Sequence, residues 1–84
     1  MSISSSHSYV TGDGHWIQDN ADGRIISLED GSVWEVSAID QVDSMLWLPV
    51  TNINVADNPS GGSYPYLLVN TDDGEKVEAR LVSN

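Results

Sequence analysis

The chain has 84 residues, of which thirteen are acidic and only three are Lys or Arg; it has no cysteine, and its formal net charge is −10. This length makes a single domain with a small core, and the missing thiols exclude disulfides and cysteine-ligated metal sites. The few basic residues argue against binding nucleic acid through its phosphates and against docking on an anionic membrane. The simplest explanation of the acidic charge is that it keeps the protein soluble, and it also permits binding to a basic partner.

Residues 1–14 are rich in Ser and Gly, and they predict a flexible N-terminal tail ahead of one domain over residues 15–84. The start shows neither the basic end nor the apolar block of a secretion signal, so the chain as written is expected in the cytoplasm. If it is instead a mature domain behind an artificial Met1, a secreted or periplasmic location applies. No stretch approaches the roughly 18 apolar residues of a membrane span.

Six short strands are predicted, at residues 15–20, 24–28, 32–37, 51–56, 66–71 and 75–82. Asp-Gly pairs lie between the first and second, the second and third, and the fifth and sixth of these strands. Such pairs are typical of β-hairpin turns. Short strands with tight turns predict an all-β fold. At this length we expect a small, partly open SH3-like barrel of five to six antiparallel strands with one short helical insert. An OB-like barrel is the alternative.

The register of each hairpin follows from the loop length that places apolar residues on one face. In the middle hairpin, a three-residue loop at 29–31 puts Ile26 opposite Trp34 and separates an apolar from a polar face. Each three-residue loop then ends on a glycine in the left-handed conformation. The same loop length predicts four further pairs: Trp16 with Leu28, Gln18 with Ile26, Leu67 with Ala79, and Val69 with Val77.

Residues 37–46 change to helical spacing. Residues 37–40 resemble a capping box, and apolar residues then recur every three to four positions. These apolar residues are Ile39, Val42, Met45 and Leu46. The segment predicts one or two turns of helix that end before Trp47, and an irregular loop pinned by Ile39 and Val42 is the alternative. Residues 57–65, with two prolines and two glycines, predict a loop.

Three motifs are distinctive in combination. They are DGSVWEV at residues 30–36, DSMLWLP at residues 43–49 and NTDDGE at residues 70–75. Together they resemble a small, uncharacterised family of bacterial β-barrel domains, whose members carry DGSxWxV, DxxLWLP and NTDxGE motifs. The resemblance covers about residues 16–82, and it implies a compact β-barrel without catalytic residues. Members often follow a secretion signal, which the chain as given does not show.

The titratable residues predict neither catalysis nor a metal site. His7 and His15 are the only histidines, and no serine lies in a G-x-S-x-G elbow, so a nucleophilic triad is not expected. Asp40 is expected to cap the helix, and Asp43 to face solvent, rather than to act as an acid–base pair. The acids at residues 19–22 and 72–73 are spaced for turns rather than for a calcium loop. We therefore expect no enzyme activity, no cofactor and no metal.

The remaining candidate site is a group of aromatic residues beside loops. Trp47, Tyr64 and Tyr66 lie at or near prolines, and Asp40 and Asp43 precede Trp47. An aromatic groove with acids beside it would bind a basic or Pro-containing peptide; plain packing of a small core is the alternative. The sequence therefore favours a non-enzymatic binding or interaction module. An acidic inhibitor or nucleic-acid mimic that acts on a basic partner is the alternative.

Overall fold

The structure, a computed structural model, describes residues 9–83; residues 1–8 of the predicted tail, with His7, lie outside the described residues. The described chain forms six strands that close into one antiparallel barrel in the order β1-β2-β3-β6-β5-β4. They are β1 (Gly12–Ala21), β2 (Ile25–Leu28), β3 (Val33–Val36), β4 (Asn52–Asp57), β5 (Tyr66–Asn70) and β6 (Lys76–Ser83). The predicted all-β fold is confirmed and is consistent with a small SH3-like barrel, although the sheet closes fully.

The predicted helical insert lies between β3 and β4. A 3₁₀ turn (Ala38–Asp40) runs into α1 (Gln41–Ser44), and the chain then returns to the barrel at β4. We call residues 37–51 the crossover. Within residues 9–83, no helix has the length and apolar character needed to cross a membrane.

The core is filled from alternate positions of the strands. Trp34 is its largest fully buried side chain, and the indole N–H donates to the Ser32 hydroxyl at 2.9 Å. Ile26 pairs with Trp34 across β2 and β3, which confirms the register predicted for the middle hairpin. The other buried apolar residues are Ile17, Leu28, Val36, Trp47, Ile53, Val55, Leu68, Val77 and Ala79.

The register predicted for the first hairpin is wrong. Ile17 rather than Trp16 lies opposite Leu28, and Asn20 rather than Gln18 lies opposite Ile26. A bulge between Ile17 and Asp19 shifts the pairing and turns the following side chains over. As a result Ile17 is fully buried, whereas Trp16 is 45% exposed.

The turn of this hairpin explains the shift. Asp22 and Gly23 both have positive φ, 59° and 75°. The Arg24 amide donates to the Ala21 carbonyl at 3.0 Å, so only Asp22 and Gly23 lie between the bonded residues. Positive φ at both central positions is characteristic of a type I′ turn. Because Ala21 pairs with Ile25, the loop keeps the predicted length of three residues but covers 22–24 rather than 21–23.

The register predicted for the last hairpin is also wrong, by one residue. Leu68 lies opposite Val77, and Leu67 and Val69 are displaced to the outer face. The loop has four residues, 71–74, because the buried Asn70 ends β5 and its side-chain oxygen accepts the amide of residue 72 at 2.9 Å. This bond begins the turn one residue earlier than the predicted loop.

The predicted domain boundary at residue 15 lies too late in the chain. β1 begins at Gly12. Tyr9 packs its ring edge-on against Trp34, with 4.9 Å between centroids, and its amide donates to the Tyr66 hydroxyl at 3.0 Å. Residues 9–14 therefore belong to the barrel, because the Tyr9 ring adds to the core cluster and its amide finds a partner inside the fold.

The two ends of the barrel are covered by different parts of the chain. The crossover lies at one end, together with the β1–β2 and β5–β6 turns, and Trp47 bonds Glu75 there. We call this the crossover end. The β2–β3 turn, the loop at residues 58–65 and Tyr9 lie at the other, which we call the Tyr9 end.

Candidate functional site

The structure does not form the predicted aromatic groove. Trp47 is only 4% exposed, and its indole N–H donates to Glu75 Oε1 at 2.9 Å at the crossover end. Tyr66 begins β5 at the opposite end, where its ring packs edge-on against Trp34 with 5.2 Å between centroids. The interpretation of Trp47 and Tyr66 as one binding surface is therefore wrong, because each closes a different end of the barrel.

The third aromatic residue of the predicted groove, Tyr64, lies in the loop between β4 and β5. It is half-buried, and its carbonyl accepts the side-chain amide of the buried Asn58 at 2.8 Å. The backbone amide of Asn58 donates to the Pro65 carbonyl at 2.9 Å. Tyr64 thus belongs to a loop that is ordered by its own polar contacts at the Tyr9 end, away from Trp47.

The two predicted acids have separate roles. Asp40 Oδ2 accepts the Glu78 amide at 2.9 Å, and so ties the crossover to β6. Neither Ser37 nor Asp40 makes a side-chain hydrogen bond to the start of the helix, so the predicted capping box is wrong. Asp43 is exposed, as expected.

Buried polar contacts hold the crossover on the barrel. The hydroxyl of Ser44, which is fully buried, donates to the Gly23 carbonyl at 2.7 Å. The Asn20 side chain donates to the carbonyls of Ser44 and Trp47 at 2.9 and 2.8 Å. The inner face of α1 is therefore small and polar, and it rests directly on the backbone of the β1–β2 turn.

As a consequence, the apolar side of the crossover faces solvent. Six apolar side chains within residues 39–50 are between 53% and 83% exposed. They are Ile39, Val42, Met45, Leu46, Leu48 and Val50, and we call them the crossover surface. The sequence predicted the helical spacing of the first four correctly, and the alternative, an irregular loop pinned by Ile39 and Val42, is wrong because both side chains are exposed.

Val50 holds an unusual backbone conformation within this surface. Its φ is 62°, although its side chain is β-branched and 74% exposed. The Val50 amide donates to the Ile17 carbonyl at 2.7 Å, which fixes the strained residue against β1. A positive φ at a β-branched residue is a true outlier, and such strain concentrates at functional positions.

Acidic side chains lie at the same end of the barrel as the crossover surface. Asp43 lies on α1 itself, and the β1–β2 and β5–β6 turns bring further exposed acids to the same end. These acids are Asp22, Asp72, Asp73 and Glu75. Only two bases, Arg24 and Lys76, lie at this end in the described chain, so its local charge is negative.

A second group of polar side chains lies at the Tyr9 end. His15 Nδ1 lies 3.0 Å from Glu29 Oε2, and His15 Nε2 lies 3.2 Å from the Tyr9 hydroxyl, which donates to Asp30 Oδ2. Asp30 Oδ1 accepts both the amide of Ser32, at 2.9 Å, and its hydroxyl, at 2.6 Å. This network ties Tyr9 to the β2–β3 turn and, through Ser32, to the core.

The pKa values at the Tyr9 end agree with these roles. Burial, followed by the hydrogen bond to Asp30, raises the pKa of Tyr9 to about 12. Burial also disfavours the charged form of Asp30, but the hydrogen bonds from Ser32 and Tyr9 outweigh it and lower the pKa of this carboxyl overall. At neutral pH Tyr9 is therefore a donor and Asp30 an ionised acceptor.

Sequence reasoning missed both groups, although each had a partial signal. For the crossover surface, the signal was the number of apolar residues at inward-facing strand positions. These residues already fill so small a barrel, so the apolar residues of the crossover have no space in the core. For the other group, His15 begins a predicted strand, and Glu29 and Asp30 lie in the loop predicted at residues 29–31. Nothing in the sequence indicated that Tyr9 reaches back across that end.

Comparisons with known proteins give no relatives: no family model, no curated protein and no solved structure matches the chain. The resemblance to a bacterial β-barrel family therefore stays a prediction. No pocket is detected in the part of the chain that the structure describes.

Proposed function

We propose that this domain is a non-enzymatic binding module that docks a protein partner on the crossover surface. The observation that carries the proposal is the exposure of six apolar side chains on a segment held by buried polar contacts. Grouped apolar side chains on a protein surface mark interaction sites more often than single ones do. Full burial of a side chain such as Ile39 or Leu46 would stabilise a complex by about 1.5–3 kcal/mol.

The charge around this surface indicates the chemistry of the partner. Asp22, Asp43 and Asp73 are exposed at the crossover end, and the whole chain carries a net charge of −10. A partner with an apolar centre and Lys or Arg at its rim would match both features, since complementary charges favour association and like charges oppose it. A second copy of this chain would bring acidic rims together.

Site-specific photo-crosslinking in the cells that make the protein tests the proposal. A photoreactive amino acid replaces Val42, which is 70% exposed on the crossover surface, and in a control chain it replaces Val82, which is 52% exposed on β6. We expect an adduct with a basic protein from position 42 and not from position 82. The purified partner should bind Leu46→Asn at least about 30-fold more weakly, as expected when a central apolar contact of about 2 kcal/mol is lost.

Other outcomes would overturn this reading. An adduct of two copies of the chain would make the surface a dimer interface, and the absence of any adduct specific to position 42 would contradict docking there. An acidic inhibitor or nucleic-acid mimic would bind through its charges. It would keep its affinity in Leu46→Asn and lose it when Asp43 and Asp73 are changed to Asn.

A further inference from the structure

We propose that His15, Glu29 and Asp30 form a binding site for a divalent transition-metal ion, for which Zn²⁺ is the best match. The three side chains come from β1 and the β2–β3 turn and meet at the Tyr9 end. One donor atom from each lies within 4.8 Å of the other two. The site is at the opposite end of the barrel from the crossover surface, so neither proposal depends on the other.

The distances between the donor atoms suit a small ion. Nδ1 of His15 lies 3.0 Å from Glu29 Oε2 and 3.9 Å from Asp30 Oδ2. A four-coordinate Zn²⁺ holds nitrogen and oxygen ligands at about 2.0–2.2 Å, which separates neighbouring ligand atoms by about 3.4 Å. The two observed distances lie on either side of this value, so small side-chain adjustments would place all three atoms on one ion.

The hydrogen bonds at His15 point to a cation beside Nδ1. The Tyr9 hydroxyl uses its single proton on Asp30, so it can only accept from His15 Nε2, which must carry a hydrogen. The other ring nitrogen, Nδ1, then faces the two carboxylates of Glu29 and Asp30. A bare lone pair would be repelled there, and a proton on Nδ1 would bond Glu29 alone. A metal ion on Nδ1 would contact both carboxylates at once.

The surrounding contacts hold each ligand in a suitable orientation. Glu29 Oε1 accepts the Trp16 amide at 2.9 Å, and this contact holds the carboxylate with Oε1 and Oε2 at 3.2 and 3.0 Å from His15 Nδ1. Asp30 Oδ1 accepts the Ser32 amide and hydroxyl, which leaves Oδ2 on the same side. Metal-binding histidines usually donate their second ring N–H to a neighbouring acceptor, and the Tyr9 hydroxyl supplies that acceptor here.

Charge and exposure also fit a divalent ion. Two carboxylates offset its two positive charges, and a net protein charge of −10 draws cations to the surface. The side chains of His15, Glu29 and Asp30 are 18%, 21% and 31% exposed, so an ion can enter and keep a water ligand. A donor set of one imidazole and two carboxylates favours Zn²⁺ over Mg²⁺, because Mg²⁺ prefers oxygen ligands alone.

Calorimetric titration of the full chain with ZnCl₂ and with MgCl₂ tests the site. We expect saturable binding of one Zn²⁺ per chain and no comparable binding of Mg²⁺. His15→Gln and Glu29→Gln should each weaken Zn²⁺ binding at least about tenfold. Two controls should keep the affinity: Asp43→Asn, which removes the same charge at the other end, and His7→Gln, which removes the other imidazole.

The ¹⁵N shifts of the imidazole rings in the unaltered chain give a second readout that does not depend on the folding of any variant. Zn²⁺ should move the Nδ1 signal of His15 and leave Nε2 protonated. The proposal is overturned if the His15 signal does not respond, if Zn²⁺ follows His7 rather than His15, or if Asp43→Asn and Glu29→Gln weaken binding equally. A proton on Nδ1 would then account for the geometry.

Discussion

Substitution of Gly23 by Ala tests the close contact on which the crossover rests. A Cβ at this position would lie 2.6 Å from the Gln41 carbonyl oxygen and from Met45 Cα, and closer still to the Met45 amide nitrogen. These are backbone atoms, so the crossover itself would have to move. The positive φ of 75° adds a second penalty. Left-handed strain of about 1–2 kcal/mol and overpacking of about 1–3 kcal/mol together predict a loss of about 2–5 kcal/mol in the free energy of unfolding.

Two other glycines provide matched controls. Gly31 and Gly74 have φ of 90° and 83°, but a Cβ at either would meet no atom within 4 Å. Gly31→Ala and Gly74→Ala should therefore lose only the strain, about 1–2 kcal/mol each. Urea unfolding followed by tryptophan fluorescence measures all three variants. Equal losses in all three would refute the contact, and no loss in any would refute the left-handed conformations as well.

Three further predictions follow from strain, burial and ionisation. Val50→Gly should raise the free energy of unfolding by up to about 1 kcal/mol, because it relieves a φ of 62° at an exposed side chain, whereas Val42→Gly in α1 should lower it. Trp47→Phe should cost about 1–3 kcal/mol, and Trp16→Phe, at a half-exposed position, about 0.5 kcal/mol or less. The pKa of about 12 for Tyr9 exceeds the ordinary tyrosine value of about 10, so the resulting stabilisation is present below pH 10 and is lost as the pH rises towards 12.

Urea titration measures the free energy of unfolding for the Val50 and Val42 variants and for the Trp47 and Trp16 variants. Melting temperatures between pH 8 and 11 measure the effect of Tyr9 ionisation, with Tyr9→Phe as the control. A destabilised Val50→Gly would show that the strain at that residue is small. Trp16→Phe as costly as Trp47→Phe would contradict the register of β1. The same slope above pH 10 in Tyr9→Phe and the parent chain would remove Tyr9 as the cause.

The middle hairpin could be predicted from the sequence because its pattern allows one solution. Ile26 and Leu28 lie on either side of the polar Ser27 on one strand, and Trp34 and Val36 lie on either side of Glu35 on the next. Only one loop length then places all four on the same face, and three of its pairs are seen in the structure. The fold class followed in the same way, from short strands and repeated Asp-Gly turns.

The outer hairpins could not be predicted in this way, because the apolar residues in each of them fit more than one register. Trp16 and Ile17 are neighbours, so alternation alone allows either to face inward, and a bulge decides for Ile17. Leu67 and Leu68 pose the same ambiguity in β5, where the buried Asn70 sets the turn. The register in each hairpin follows the geometry of its turn and bulge, which the pattern of apolar residues does not show.

The candidate sites depended on contacts that periodicity does not report. Helical spacing shows which side chains share a face, but not whether that face turns inward. The orientation of α1 depends on two small residues, Ser44 in the helix and Gly23 in the β1–β2 turn. They let the two backbones approach closely, which leaves the apolar face of the helix exposed. Tyr9 reaches His15 and Asp30 because it packs across the end of the barrel. The periodicity of the sequence does not indicate this contact.

The positions of the two chain ends determine how this domain can be presented to a partner. Tyr9 lies against the β2–β3 turn, and Ser83 pairs with Val33 beside that same turn, so the described chain begins and finishes at the Tyr9 end. A tether, tag or neighbouring domain joined at Tyr9 or at Ser83 would therefore approach from the side opposite the crossover surface. Immobilisation at either of these two residues would leave that surface facing the solution.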